Sequence, residues 1–356
     1  MQDLTQGSIP RHILSMALFI ATGLVFQAAY VLIDLYFIAG LGKQAMAGVG
    51  AAANVSMLVM AGSQLIGVGA LALIAQATGR RDGAAASLVF NQAFGLGLVA
   101  AVLTLVLGFS LASAGIGLVA ADPATAGYGR IYLAWFLPGL AMMFPTTALG
   151  SGLRATGVVR PGMLVQIGSV ALNAILAPVL IAGWGTGYKM GVAGGGLAST
   201  VANVAGLVAL LLLVPRVQST LHLRMASLAP RLEVWRQLLR IGLPAAGELF
   251  MMFVIVGVVY RVIRGFGPEA QAGFGIGGRV MQSIFLPAMA VSFAAAPVAG
   301  QNFGAGQFAR VRATFWHTAL IGVAIMLTLT ALCQIRPDLL VAPFTPDAAV
   351  AANAVT

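Results

Sequence analysis

The chain has 356 residues, is 60% hydrophobic and 8% charged, and carries a formal net charge of +10. Soluble domains carry about 25% charged residues, so this composition excludes a water-soluble protein, and in a bilayer the excess Lys and Arg reads as topology-fixing loop charge with no nucleic-acid partner. The single cysteine, Cys333, excludes an intrachain disulfide.

Apolar runs of about 18 residues or more, long enough to cross a bilayer as helices, recur along the whole chain. The short alternating strands of a closed barrel are missing from the pattern. Spans are predicted at Ile13–Ala39, Ala45–Ala77, Ala85–Val119, Ile131–Leu153, Pro161–Ile181, Val192–Val214, Leu238–Val262, Phe274–Gly300 and Thr314–Ile335, with a tenth starting near Ala348. The first is too long for the apolar region of a cleavable signal peptide and is expected to remain as a helix.

Charge sets the orientation. With the N-terminus inside, the inner joints hold twelve arginines, at Arg11, Arg80, Arg81, Arg154, Arg160, Arg216, Arg224, Arg231, Arg236, Arg240, Arg310 and Arg312. The outer joints hold six basic residues, Lys43, Arg130, Lys189, Arg261, Arg264 and Arg336. The bias predicts a multi-pass protein of the inner membrane with a cytoplasmic N-terminus. The longest polar joint, Gln218–Arg240, contains Pro230 and Trp235 and reads as an inter-lobe linker, partly an interfacial helix on the anionic inner leaflet.

The chain also repeats itself. Shifted by 225 positions, the run from Gly40 to Gly50 falls on the run from Gly265 to Gly275, Gln76 falls on Gln301, Gly79 on Gly304 and Asp122 on Asp347. Internal repeats mark secondary transporters, which bind substrate between two lobes. Each unit holds six helices, an even number, so both copies start on the same side and the repeat is parallel. The predicted fold is therefore an all-α membrane bundle of two lobes. Residues 1–217 form the six-helix N-terminal lobe, 218–237 the cytoplasmic linker and 238–356 a partial C-terminal lobe. A second unit of full length would run well beyond Thr356, so the second lobe is expected to be truncated, with about nine or ten helices present in all.

Acids within the spans are Asp34 and Glu248. A carboxylate at the bilayer centre costs roughly 2.5–3.5 kcal/mol on insertion scales and marks a functional candidate. Gln27 and Tyr30 lie seven and four residues before Asp34, on the same helix face, where both could hydrogen-bond it. A carboxylate whose proton affinity depends on its exposure can couple proton movement to a conformational change. Glu248 lies four residues after Pro244, near the inner end of its helix, and is the second candidate. Arg279 and His317 read as interfacial side chains. The glycines from Gly273 to Gly278 imitate a dinucleotide loop but follow no strand. His12, His222 and His317 are scattered and suggest no metal site, and no nucleophile–base pair suggests an enzyme.

Several runs together resemble the multidrug and toxic compound extrusion (MATE) transporters. They are Leu32-Ile33-Asp34-Leu35-Tyr36-Phe37-Ile38-Ala39-Gly40, Ala47-Gly48-Val49-Gly50, Ile74-Ala75-Gln76-Ala77-Thr78-Gly79-Arg80, Gly150 to Gly157, Gly191 to Thr200, Gly242-Leu243-Pro244 and Ala299 to Gly304. The resemblance implies twelve helices in two lobes, the last of them missing here. It also implies proton- or sodium-coupled antiport, with no other cofactor, exporting small amphipathic organic cations by alternating access. The chain is expected to act as a monomer. The family's first-lobe ion site is matched by Asp34, by Asn173 on the fifth span and by Ser199, with Thr200 beside it, on the sixth. Many members carry an Asp four residues after that Asn, where this chain has Ala177 before Pro178. The loss removes an oxygen ligand and favours the proton over Na⁺. Glu248 lies on the helix where some members place a second-lobe acid, at a different position. A lipid-linked oligosaccharide flippase of the same superfamily and a non-transporting membrane scaffold are the alternative readings.

Overall fold

A computed structural model of the protein describes residues 3–119, 122–217, 220–263 and 268–335. The expected tenth segment near Ala348, Asp347, and the side chains of Arg279 and Cys333 lie outside the described residues. Within them the chain forms α1 (Ile9–Ala39), α2 (Lys43–Gly79), α3 (Gly83–Val119), α4 (Pro123–Ala141), α5 (Met143–Ala155), α6 (Arg160–Ala182), α7 (Val192–Val217), α8 (Leu232–Ile263), α9 (Pro268–Gly304) and α10 (Phe308–Ile335), with no strand. Nine of the expected spans are present as helices long and apolar enough to cross a membrane.

The fourth span differs from its expectation. It breaks at Met142 into α4 and α5. Pro138 and Pro145 flank the break, and each removes an i→i−4 hydrogen bond from the ladder. The start of α4 is capped by Asp122, whose carboxylate accepts from the Thr125 N–H at 2.9 Å and the Thr125 hydroxyl at 2.8 Å. These bonds hold the Asp122 carboxyl below its ordinary range. The cap is thus at full strength above the ordinary carboxylate pKa and is lost as pH falls through the lowered one.

The longest polar joint is helical only in its second part, where residues 232–240 form the first turns of α8, whereas residues 220–231 hold a single 3₁₀ turn at Met225–Ser227. Two buried amides of α3 bind the linker backbone instead. Asn91 donates to the His222 carbonyl at 2.7 Å and accepts from the Arg224 N–H at 2.8 Å. Gln92 donates to the Ser227 and Ala229 carbonyls and accepts from the Arg231 N–H at 2.8 Å. Peptide groups satisfied in this way have no need of helical partners.

Helices α1 to α7 pack as one lobe around a core that includes Phe90, Leu133, Leu137, Leu140, Leu149 and Leu153. Against it lie α8 and α9, which meet α2, while α9 also meets α1. The contact is a matter of backbones. A Cβ on Gly69 would strike the Leu238 carbonyl, and one on Gly242 the Leu65 carbonyl. A Cβ on Gly79 would strike the Gln301 carbonyl, and one on Gly304 the Gln76 carbonyl. The last two contacts exchange under the 225-residue shift, as contacts on a pseudo-twofold axis must. Under the same shift Leu65, Gly69, Leu238 and Gly242 become Ala290, Ala294, Ile13 and Ala17, which are buried together in the α1–α9 cluster. The repeat read from sequence is therefore built into the packing as a parallel repeat.

Among the described residues, these lobe-to-lobe approaches lie in the half of the bundle nearest the N-terminus, called here the N-terminal face. Towards the opposite face, α8 exposes Phe250, Met251, Met252, Ile255, Val258 and Val262.

Seam glycines are expected to tolerate nothing larger. Gly242→Val and Gly79→Val should each destabilise by about 1–3 kcal/mol, the usual cost of overpacking, visible as a lower Tm in detergent. Gly168→Ala, inside α6 where an added Cβ meets nothing within 4 Å, should not lower Tm and should raise it slightly through helix propensity.

Candidate functional site

The site begins with three glycines. At the start of α7 a Cβ on Gly194 would collide with the Leu180 backbone of α6, and one on Gly196 with the Tyr132 carbonyl of α4. Gly195 faces Ile38 of α1, Ile181 and Tyr132. This run lets α7 sink between α1, α4 and α6, as small residues do in membrane packing. Ser199, about one turn later, therefore arrives at the centre of four helices, fully buried.

There it meets the predicted acid. Ser199 Oγ donates to Asp34 Oδ2 at 3.1 Å and accepts from the Tyr30 hydroxyl at 2.8 Å. The Asn173 amide is oriented by its neighbours. Its NH₂ donates to Asp34 Oδ1 at 3.2 Å, and its oxygen accepts from the Ser199 N–H at 3.2 Å. Each carboxylate oxygen of Asp34 thus has one neutral donor. Asp34 is 8% exposed and Asn173 fully buried. The ion pair found among the described residues is elsewhere, between Arg81 and Asp3. Nor do three or more His, Cys, Asp or Glu side chains converge as metal ligands among the described residues.

The structure brings Tyr30, Asp34, Asn173 and Ser199 together but places the other candidates elsewhere. Gln27 is exposed and does not reach Asp34. It accepts from Gln166 Nε2 of α6 at 3.2 Å. Gln27 precedes Asp34 by seven residues and Gln166 precedes Asn173 by seven, so the two pairs are successive polar rungs between α1 and α6. Glu248 is exposed on α8, a helix that packs on α2 and not on α6 or α7. It lies sixteen residues into α8, past the first turn where a helix dipole acts, and so is not near the inner end of its helix as expected.

Thr200 turns away from Asp34 altogether. Its hydroxyl donates to the Trp135 carbonyl at 2.6 Å and accepts from the Gly139 N–H at 3.2 Å. Those two groups are an i→i−4 pair of α4, so Thr200 is spliced into the helix ladder beside Pro138. Asn203 donates to the Gly139 carbonyl at 3.3 Å and completes the clasp. An inserted hydroxyl beside a proline is a standard cause of a kink. Sequence reasoning missed Tyr132, a buried α4 side chain that faces Gly195 of α7 and whose ring packs on Phe136. Its only signal was a tyrosine inside the fourth span.

Removing the spliced hydroxyl should be costly. Thr200→Val is expected to destabilise by about 1–3 kcal/mol, because the Gly139 N–H and Trp135 carbonyl lose their buried partner. Thr200→Ser should restore the Tm.

The family model MatE matches residues 20–179 and 244–356. The chain is 25% identical over 320 residues to the probable multidrug resistance protein YpnP of Bacillus subtilis, covering 87% of this chain and 68% of that one. It is 26% identical over 307 residues to the multidrug export protein MepA of Staphylococcus haemolyticus, covering 84% of this chain and 65% of that one. The chain therefore spans about two thirds of the length of these curated relatives. A solved MOP superfamily transporter from Pyrococcus furiosus overlays with a TM-score of 0.91 at 21% identity, covering 99% of this chain and 78% of that one. With the family model matched over most of the chain on a fold of this kind, the chain belongs to the MatE family of multidrug and toxic compound extrusion transporters.

Proposed function

We propose that this chain serves proton-coupled export of small organic cations across the inner membrane, with its N-terminus in the cytoplasm and Asp34 as the coupling group. The observation that carries the reading is the buried Asp34 carboxylate held by two neutral donors, Ser199 and Asn173, with Tyr30 behind them. A buried carboxylate without a cationic partner is unstable as a bare charge. Two events relieve it, binding a proton or binding a cation. Because both neutralise the same charge they compete, and competition for one charge is an exchange of proton for substrate.

The surrounding groups do the positioning. Ser199 and Asn173 fix the two carboxylate oxygens, and the Tyr30 hydroxyl, donating to Ser199, keeps the serine proton aimed at Asp34. Asp34 lies near the far end of α1 from the N-terminal face, beyond the seam where the lobes touch. Rocking of the lobes about that seam would turn the site from one side of the membrane to the other, which is alternating access. Ala177, buried where many relatives carry a second acid, offers no oxygen to Na⁺, which favours the proton.

The test is cation-driven proton release from the purified protein. Adding an organic dye cation should release protons from wild type and none from Asp34→Asn, and the same substitution should abolish dye export. Ser199→Ala should slow export about tenfold, the effect of losing roughly 1.4 kcal/mol. Protons compete, so apparent dye affinity should rise with pH, and the protons released per dye bound should fall as pH rises. Export that persists unchanged in Asp34→Asn, or that requires Na⁺ in place of a pH gradient, would overturn the reading.

A further inference from the structure

The segment before α1 is deeply held. Leu4 is fully buried, in the same cluster as Ile9, Ile13, Val291, Ala294 and Val298 of the α1–α9 seam. Its backbone is read by the second lobe. The Leu4 N–H donates to Gln301 Oε1 at 3.0 Å, and the Leu4 carbonyl accepts from Asn302 Nδ2 at 3.1 Å. Both amides are essentially unexposed.

Each is tied in turn. Gln301 Nε2 donates to the Ala155 carbonyl at the end of α5, at 2.9 Å. Asn302 Oδ1 accepts from Arg310 Nε at 2.9 Å, and Arg310 Nη2 reaches the Gly7 carbonyl at 3.1 Å. Outside the notch, Asp3 accepts from the Thr5 N–H at 2.9 Å and faces Arg81 at 3.9 Å.

Two side-chain amides presenting one acceptor and one donor to the N–H and C=O of a single residue reproduce the pairing of a strand edge. The notch is made by α9 and α10, whereas the peptide in it leads into α1, on the other lobe. Separation of the lobes on this face would strip Leu4 of both backbone partners and expose its side chain. Buried peptide groups left unpaired cost too much for the segment to stay half-docked, so it must either hold or leave.

We infer that residues 3–7 are a latch seated in the Gln301–Asn302 notch, and that the latch must leave before the bundle can open on its N-terminal face. The inference rests on the alternating-access reading, but it is tested by a measurement that needs neither substrate nor ion. In a Cys333→Ser background, Val298→Cys places a reporter thiol in the closed seam. Inside-out vesicles are treated with a membrane-impermeant maleimide, and the labelling rate is measured with the latch intact and with Leu4→Glu or Asn302→Ala. Labelling is expected to accelerate about tenfold in both variants and to stay unchanged in Gln6→Ala, whose side chain lies outside the notch. Unchanged rates in Leu4→Glu and Asn302→Ala proteins that reach the membrane in normal amounts would overturn the latch.

If those variants fail to accumulate, Leu4→Cys paired with Gln301→Cys in the same background decides the matter. Joining the two thiols with a cleavable cross-linker should stop dye export, and cleavage should restore it. Full export by cross-linked protein would overturn the latch. Absence of export even after cleavage would count against the export reading, and the latch is then decided by whether cross-linking slows labelling of a Val298→Cys reporter added to a Leu4→Lys and Gln301→Glu pair joined by a carboxyl-to-amine reagent.

Discussion

The first lobe is organised around one serine hydroxyl. Ser199 receives a hydrogen bond from Tyr30 of α1, gives one to Asp34 of the same helix, and offers its backbone N–H to Asn173 of α6. Tyr132 of α4 lies against the glycine run that precedes it. An unpaired polar group inside a bilayer costs several kcal/mol, so a buried carboxylate compels its neighbours to supply donors. Here the supply fixes where three helices cross. The glycines from Gly194 to Gly196 make the approach sterically possible, and the hydroxyl makes it electrostatically worthwhile. Its neighbour Thr200 then binds the same helix, α7, into the ladder of α4 beside Pro138. Two adjacent hydroxyls on one helix thus perform separate tasks, one at the carboxylate and one at a kink.

The joint between the lobes is built on a different principle. It contains almost no side-chain chemistry in its middle, because carbonyl groups of one lobe rest on glycines of the other. Such contacts have little side-chain entropy to lose. The polar material is gathered at the N-terminal face, where Gln301 and Asn302 hold Leu4 and where Asn91 and Gln92 hold the linker. In both cases buried amides substitute for a secondary-structure partner, and in both an irregular segment becomes ordered without forming a helix. The linker docks on the lobe it leaves, whereas the N-terminal segment docks across the seam. The difference makes the second arrangement sensitive to lobe movement and the first indifferent to it.

Much of this was legible in the sequence. Apolar runs gave the spans and most of their ends, because crossing a hydrocarbon layer sets a minimum length that composition reveals directly. Four helices, however, start six to eight residues earlier, in polar turns that the apolar run does not mark. The 225-residue shift exposed the repeat, since residues such as Gly79 and Gly304 are confined to glycine by contacts that occur twice. Asp34 stood out because a membrane carboxylate is costly wherever it lies. The positions that resisted reading were those whose role depends on direction. Gln27 and Tyr30 share a helix face with Asp34, but only Tyr30 is placed to reach the serine, and Gln27 instead meets Gln166. Ser199 and Thr200 are adjacent hydroxyls that sequence cannot tell apart, and their roughly 100° separation around α7 sends one to α1 and the other to α4. The joint read as partly helical, and helix forms only from Leu232, because Asn91 and Gln92 take up the backbone before it.

The sequence by itself therefore determined the solvent, nine spans among the described residues, the repeat and the two acids that a membrane must account for. Each of these follows from a local cost, the transfer of a residue or a peptide group into hydrocarbon. Tertiary structure alone decided which neutral donors meet Asp34, that α4 is spliced by Thr200, that Glu248 stands apart, and that Leu4 crosses to the other lobe. Those outcomes depend on how helices are rotated and crossed against one another, which is settled by contacts between residues far apart in the chain.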